Sequence, residues 1–286
     1  MTTWLRRAAY VVAGLLVVVL VGVGVIYLIS GSRMAPVEGT AHALDHSQAS
    51  VAEGQRLANA FGCTACHGGN LGGNVLIDAM PFAMLPASNL TSGRVGGEAD
   101  DAQWELAVRH GIGFDRRPLF IMPSSSYSRL SDAHLSSIIA WARTLPAVEN
   151  PLPERQFGPI GRLAITLGQL PPVRSQIPDD VQHLQTQTEA TAKFGYYLTR
   201  LCVDCHGDDL RGGPPEQREP TPGPDLSPAG RLGSWDQSQF MTAIRTGRRP
   251  DRTMLNDSTM PWQAIANLND VELSAIWAYL STMPAT

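Results

Sequence analysis

The chain has 286 residues and a formal net charge of −4 at pH 7. That length accommodates two modest domains, and the charge lacks the basic surplus of a nucleic-acid binder. Lys193 is the only lysine, so nearly all positive charge is arginine. The placement of the four cysteines carries most of the functional information.

The first element is an almost unbroken apolar run, Ala8 to Ile29, preceded by Arg6 and Arg7. It exceeds the ~20 residues that a helix needs to cross a bilayer. Basic residues stay on the cytoplasmic side, so the rest of the chain is expected to be exported. A cleaved signal peptide would have an apolar region of ~7–15 residues with a small-residue site close behind. The match Ala41-His42-Ala43 lies well beyond the end of this run. Residues 1–33 therefore read as a retained transmembrane anchor and 34–48 as a linker. The protein is expected to cross the inner (cytoplasmic) membrane once, with the remaining domains on the periplasmic side.

All four cysteines fall in two five-residue motifs, Cys63-Thr-Ala-Cys66-His67 and Cys202-Val-Asp-Cys205-His206. C-x-x-C-H is the attachment signature of c-type haem: two thiols add across the haem vinyl groups, and the adjacent histidine supplies the proximal imidazole. Disulfide pairs would not need the histidines. A structural zinc needs four ligands, and each motif offers three. A thioredoxin-like redox pair expects a βαβ context, and no strand pattern surrounds either motif. Two covalent haem c groups are expected, and export fits them, since c-type haem is attached outside the cytoplasm.

The chain also repeats itself. His67-Gly68 pairs with His206-Gly207, and Leu71-Gly72-Gly73 with Leu210, Gly212 and Gly213. At an offset of 136, Pro86 pairs with Pro222, Asn89-Leu90-Thr91 with Asp225-Leu226-Ser227, and Ala107-Val108-Arg109-x-Gly111 with Ala243-Ile244-Arg245-x-Gly247. Met122-Pro123 pairs with Met260-Pro261 at 138. Trp104 pairs only loosely with Trp235. Two modules are expected, residues 49–149 and 187–286, joined by a Pro-rich strap, 150–186. Within the strap, Ile160 to Leu170 reads as a short amphipathic helix, too apolar for a free linker.

Each module carries helical punctuation. Gly54, Leu57, Ala58 and Phe61 share one face before the first motif; Phe194, Tyr197, Leu198 and Leu201 do so before the second. Ser131 and Asn269 read as N-caps of the last helices, with Glu272 placed for a capping box.

An electron-transfer haem needs both axial positions filled, and methionine opposite histidine raises its potential. Met122 and Met260 recur in register, each ten residues before an aspartate, and are the expected distal ligands. The haem-binding set is thus Cys63, Cys66, His67 and Met122 in one module, and Cys202, Cys205, His206 and Met260 in the other. Iron is held by His67, Met122, His206 and Met260. Met80, Met84, Met241 and Met254 read as core filler. His110 and His134 have the counterparts Thr246 and Glu272, which argues against them as ligands. His42, His46 and His183 read as solvated linker residues. Arg109 and Arg245 suit either haem propionates or solvated helix ends. Pro86 and Pro222 are candidates for carbonyls that orient the proximal histidines.

Over residues 50–286 the sequence resembles membrane-anchored, exported cytochromes c built from class I modules. It is similar to the multihaem cytochrome subunits of membrane alcohol, aldehyde and gluconate dehydrogenases. The resemblance rests on both C-x-x-C-H-G motifs, Asn89-Leu90-Thr91, Ala107-Val108-Arg109-x-Gly111, the Met-Pro blocks and Gly158-Pro159-Ile160-Gly161-Arg162. Those subunits commonly carry three modules and a membrane-associating C-terminal region; this sequence shows two and an N-terminal anchor. The resemblance implies an all-α fold, with first and last helices crossing in each module. It also implies electron transfer between redox partners such as dehydrogenase or oxidase subunits, without bond chemistry of the protein's own. The competing reading is a dihaem peroxidase-type enzyme, which needs an iron with an open distal side; a haem-based sensor would need gas binding at one haem.

Overall fold

The computed structural model describes residues 3–92, 95–178, 180–181, 183, 189–212 and 223–285. Helix α1, Thr3–Arg33, takes in the apolar run and is long and apolar enough to cross a membrane; none of its apolar window is buried against protein. After it the chain folds into two helical modules. The Pro222 and Gly213 pairings and the 186/187 boundary lie outside the described residues.

In the first module α2 (Val51–Ala60) begins at Ser50, whose side chain accepts from the Glu53 amide. It packs across α7 (Asp132–Thr144), which Ser131 caps as expected. In the second, α9 (Ala192–Leu198) packs across α13 (Asp270–Leu280), where Asn269 and Glu272 form the expected capping box. Both crossings depend on a glycine. A Cβ at Gly54 would lie 2.0 Å from the Ser137 carbonyl oxygen, and one at Gly195 1.9 Å from that of Ala275. Backbones can approach this closely only where no side chain intervenes. Gly54 stands nine residues before Cys63 and Gly195 seven before Cys202. The two stripes are therefore out of register, and a 3₁₀ turn over Thr199–Leu201 makes the connection in the second module.

A further pair of helices also matches. Helix α5 (Asp101–His110), which follows the short α4 (Val95–Glu98), has an Asp100/Gln103 capping box, and α11 (Gln237–Thr246) an Asp236/Gln239 box. This register pairs Trp104 with Phe240 at an offset of 136, correcting the loose pairing with Trp235. Both are buried. Beyond each Met-Pro block comes a single helical turn, α6 (Ser124–Tyr127) after Pro123 and α12 (Trp262–Ile265) after Pro261.

The fold is mostly helical with some sheet, so all-α holds only in outline. Strands β1 (Asn74–Ala79), β2 (Ala83–Ala87) and β3 (Gln156–Phe157) form an antiparallel sheet in the order β1-β2-β3. Since β3 belongs to the strap, the strap is built into the first module. Helix α8 (Pro159–Thr166) follows, burying Ile165 with Phe157, Phe120, Ala83 and Leu85. Val173 and Ile177 are buried farther along.

One hydrophobic core runs through both modules, from Leu57, Phe61 and Ile138 to Tyr197, Leu268 and Ile276. Polar contacts reinforce the junction. Arg56 forms a two-pronged ion pair with Glu272, at 2.6 and 2.9 Å. The His134 ring nitrogen and the Tyr197 hydroxyl share a 2.7 Å hydrogen bond.

Candidate haem sites

Each C-x-x-C-H motif occupies one short helix, α3 (Cys63–His67) and α10 (Val203–His206), the latter with Cys202 as its N-cap. Both end at a glycine with φ near +85°, Gly68 and Gly207, a conformation open to glycine but strained for other residues. The turn that follows is the same in both. Gly73 N–H donates to the His67 carbonyl and Gly212 N–H to that of His206, each at 2.8 Å, so Gly212 is the counterpart of Gly73, which corrects the pairing of Gly212 with Gly72. Leu90 N–H donates to the Leu71 carbonyl and Leu226 N–H to that of Leu210, also at 2.8 Å.

That turn positions the histidines. His67 Nδ1 lies 2.8 Å from the Ser88 carbonyl oxygen, and His206 Nδ1 2.8 Å from that of Pro224. A carbonyl can only accept, so Nδ1 carries the proton and Nε2 is left with a lone pair for a metal. Burial pushes the His67 pKa down, which keeps the ring neutral. The orienting carbonyls therefore come two residues after Pro86 and Pro222, the positions expected from sequence. The Ser88/Pro224 pair keeps the offset of 136.

None of the four cysteines is paired in a disulfide. Burial raises the pKa of each, to about 12 for Cys63 and Cys202, and to a smaller extent for Cys66 and Cys205. Among the described residues no three His, Cys, Asp or Glu side chains converge as a metal site. Each motif thus stands as two thiols and one imidazole.

The first motif opens onto a large, mainly apolar cavity. Cys63, Cys66 and His67 line it together with Leu71, Trp104, Val108, Phe114 and Met122. A haem needs thiols, an imidazole with a free Nε2 and apolar walls for the macrocycle, and these residues provide them. In the second module Met260 and Cys202 pack against the shared core. Met254 is exposed and bridges to Arg248, as Pro118 does to Ile112; it is the counterpart of Pro118. Met80 is also exposed, so neither residue is core filler. Met241 packs on the core as expected.

The arginine expectations need correction. Arg109 is fully buried and donates to the Leu130 carbonyl at 2.5 Å and to Asp132 at 2.7 Å. Arg245 donates to the Ala266 carbonyl and, at 2.7 Å, to Asp270. Arg109 clamps α5 to the start of α7 and is neither solvated nor a lining residue of the described cavity. Arg245 clamps α11 to the start of α13 in the same way, but its side chain is 33% exposed, as a helix-end charge would be. Arg155, which sequence reasoning missed, does line the cavity. It donates to the Pro118 carbonyl at 2.8 Å, and burial pushes its pKa down. As one of three arginines in a proline-rich strap, Arg155 offers no sequence signal. Tyr127 also lines the cavity and donates to the Phe61 carbonyl.

Among the remaining histidines, His110 pairs with buried Glu105 at 3.2 Å, and His134 lies in the module junction. His46 bonds Asp101 at 2.7 Å. His183 is not solvated as expected: it lies 4.0 Å from Glu105, and burial pushes its pKa down to about 4.

Known proteins give the same picture of both modules. Residues 195–284 match the family model described as "Cytochrome c". Residues 49–141 match "Cytochrome C oxidase, cbb3-type, subunit III". The chain is 26% identical to a fructose dehydrogenase cytochrome subunit of Gluconobacter japonicus, covering 82% of this chain and 53% of that one. It is 25% identical to a gluconate 2-dehydrogenase cytochrome c subunit of Pantoea cypripedii, covering 84% and 60%. It is 24% identical to the cytochrome c subunit of a quinone-linked alcohol dehydrogenase of Gluconobacter oxydans, covering 88% and 58%. The chain thus spans little more than half the length of these relatives. With a haem-attachment motif in each matched segment, the chain carries two cytochrome c domains.

Proposed function

We propose that this protein is an electron relay with two covalent haem c groups, anchored by α1 with both domains on the periplasmic side of the inner membrane. The observation that carries the reading is the repeated proximal geometry: His67 on the Ser88 carbonyl and His206 on that of Pro224, each beside two cysteines that form no disulfide. Haem supplies one-electron chemistry when bound. The chain's own residues bind it, fix the imidazoles, exclude water and close the distal side. In this reading Cys63, Cys66, His67 and Met122 hold the first haem, and Cys202, Cys205, His206 and Met260 the second. The domains span 49–149 and 187–286, with the strap 150–186 between them.

The relatives that serve dehydrogenases support an electron donor of that kind, a dehydrogenase or a quinol-oxidising complex, and a separate terminal acceptor. The junction suits a relay as well. The Ser126 hydroxyl donates to Asp204 at 2.7 Å, so the segment after Met122 touches the second attachment motif. A redox titration tests the reading. Two one-electron transitions, with no carbon monoxide binding and no peroxide turnover, support a relay; an open haem that turns over peroxide supports the dihaem peroxidase instead.

A further inference from the structure

The last two turns of α1 are packed against α8. Thr166 Oγ1 donates to the Ile26 carbonyl at 3.2 Å, and Arg162 donates to Ser30 Oγ at 3.2 Å. The Arg162 guanidinium lies over the Tyr27 ring, 4.5 Å from its centroid. Arg33 donates to the Ile165 and Thr166 carbonyls at the C-terminal end of α8. Ile26 and Tyr27 still belong to the apolar run. That run of 22 residues, Ala8 to Ile29, spans ~33 Å at 1.5 Å per residue, against a hydrocarbon core of ~30 Å. Contacts with Ile26 and Tyr27 therefore fall at the boundary between hydrocarbon and headgroups.

Helix α8 has three faces at helical spacing. Gly161 and Ile165 are buried in the first domain. Arg162 and Thr166 face α1. Ile160, Leu163 and Leu167 form the third, at i, i+3 and i+7, and are 54%, 40% and 64% exposed. The methyl of exposed Met80 lies close to Gly158, the α8 N-cap. Single exposed apolar residues are ordinary, but an apolar helix face continuous with a membrane anchor is not. Two arginines and a tyrosine beside it complete the chemistry of a membrane interface.

We propose that α8 is an interfacial helix. Ile160, Leu163 and Leu167 insert among the lipid headgroups, and the first domain is held in a fixed orientation on the bilayer instead of swinging on a tether. The proposal rests on reading α1 as a retained anchor.

The test uses the full-length protein in phosphatidylcholine vesicles. With all four native cysteines in thioethers, Leu163→Cys and Leu167→Cys each offer one thiol for a polarity-sensitive fluorophore; Ser258→Cys, exposed in the second domain, is the reference. The expected result is a blue shift at 163 and 167, quenching by brominated lipid and loss of quenching by aqueous iodide, with none of these at 258. If the protein floats with vesicles while iodide quenches all three positions equally, the proposal is overturned and the anchor stands. Shielding at 163 and 167 in native membranes but not in pure lipid also overturns it, in favour of a protein partner. Protein that does not float with vesicles overturns both readings.

Discussion

The Tyr197 hydroxyl lies 2.7 Å from His134 Nδ1, and this contact joins the two domains through a histidine that cannot readily be charged. Burial, with Arg56 nearby, pushes the His134 pKa down to about 3. In the unfolded chain it returns to ~6.5. Between about pH 6.5 and 3 the unfolded state binds the proton and the folded state does not, so stability falls as pH falls. The slope from this group is at most about 1.4 kcal/mol per pH unit. His134→Gln should flatten the pH dependence of the unfolding midpoint over this window, read from denaturant curves. A residual slope is expected from His183, pushed down to about 4. An unchanged profile would contradict this assignment.

The Arg56–Glu272 pair should matter at the same junction. Glu272 is 3% exposed, and its Oε2 also accepts from the Asn269 amide at 2.6 Å. Arg56→Ala leaves that carboxylate buried without its cation and should cost about 3 kcal/mol. By contrast, Arg116→Ala, which breaks an exposed pair with Glu38, should cost less than about 1 kcal/mol. Thermal unfolding followed by circular dichroism checks both.

How far the sequence anticipates the structure depends on whether chemistry or contact defines the feature. The haem motifs, the long apolar helix and the caps Ser131 and Asn269 are local patterns and are legible. The small sheet is not, because β1 and β2 are short and β3 arrives from the strap. The fates of Arg109 and Arg245 are not legible either. A helix-end arginine gives no sign that a carbonyl 21 residues later will take its guanidinium. Gly54 and Gly195 are equivalent in space, but a two-residue difference before the motifs hides this in the sequence. For the histidine carbonyls, the 136 offset is the usable signal; the conspicuous proline lies two residues early.

The methionines are tested by spectroscopy. Thioether sulfur favours ferrous over ferric iron. Met122→Ala or Met260→Ala should lower the potential of one haem and open that haem alone to carbon monoxide. Met254→Ala should match the parent, since Met254 stands exposed in the place of Pro118. A Met260→Ala protein that keeps its potential and stays closed would exclude Met260.

The anchor predicts that the protein sediments with membranes and resists carbonate extraction. Removal of residues 1–33 should release a soluble protein that keeps its haems. A mature N-terminus near residue 44 would contradict retention of α1.

The most direct measurement of the central claim is the mass of the denatured protein. Covalent attachment survives denaturation, so the account predicts the polypeptide mass plus two haems. Cys63→Ala combined with Cys66→Ala should leave one haem, as should Cys202→Ala with Cys205→Ala. A parent mass carrying one haem or none, or a double variant that keeps both, would contradict the account.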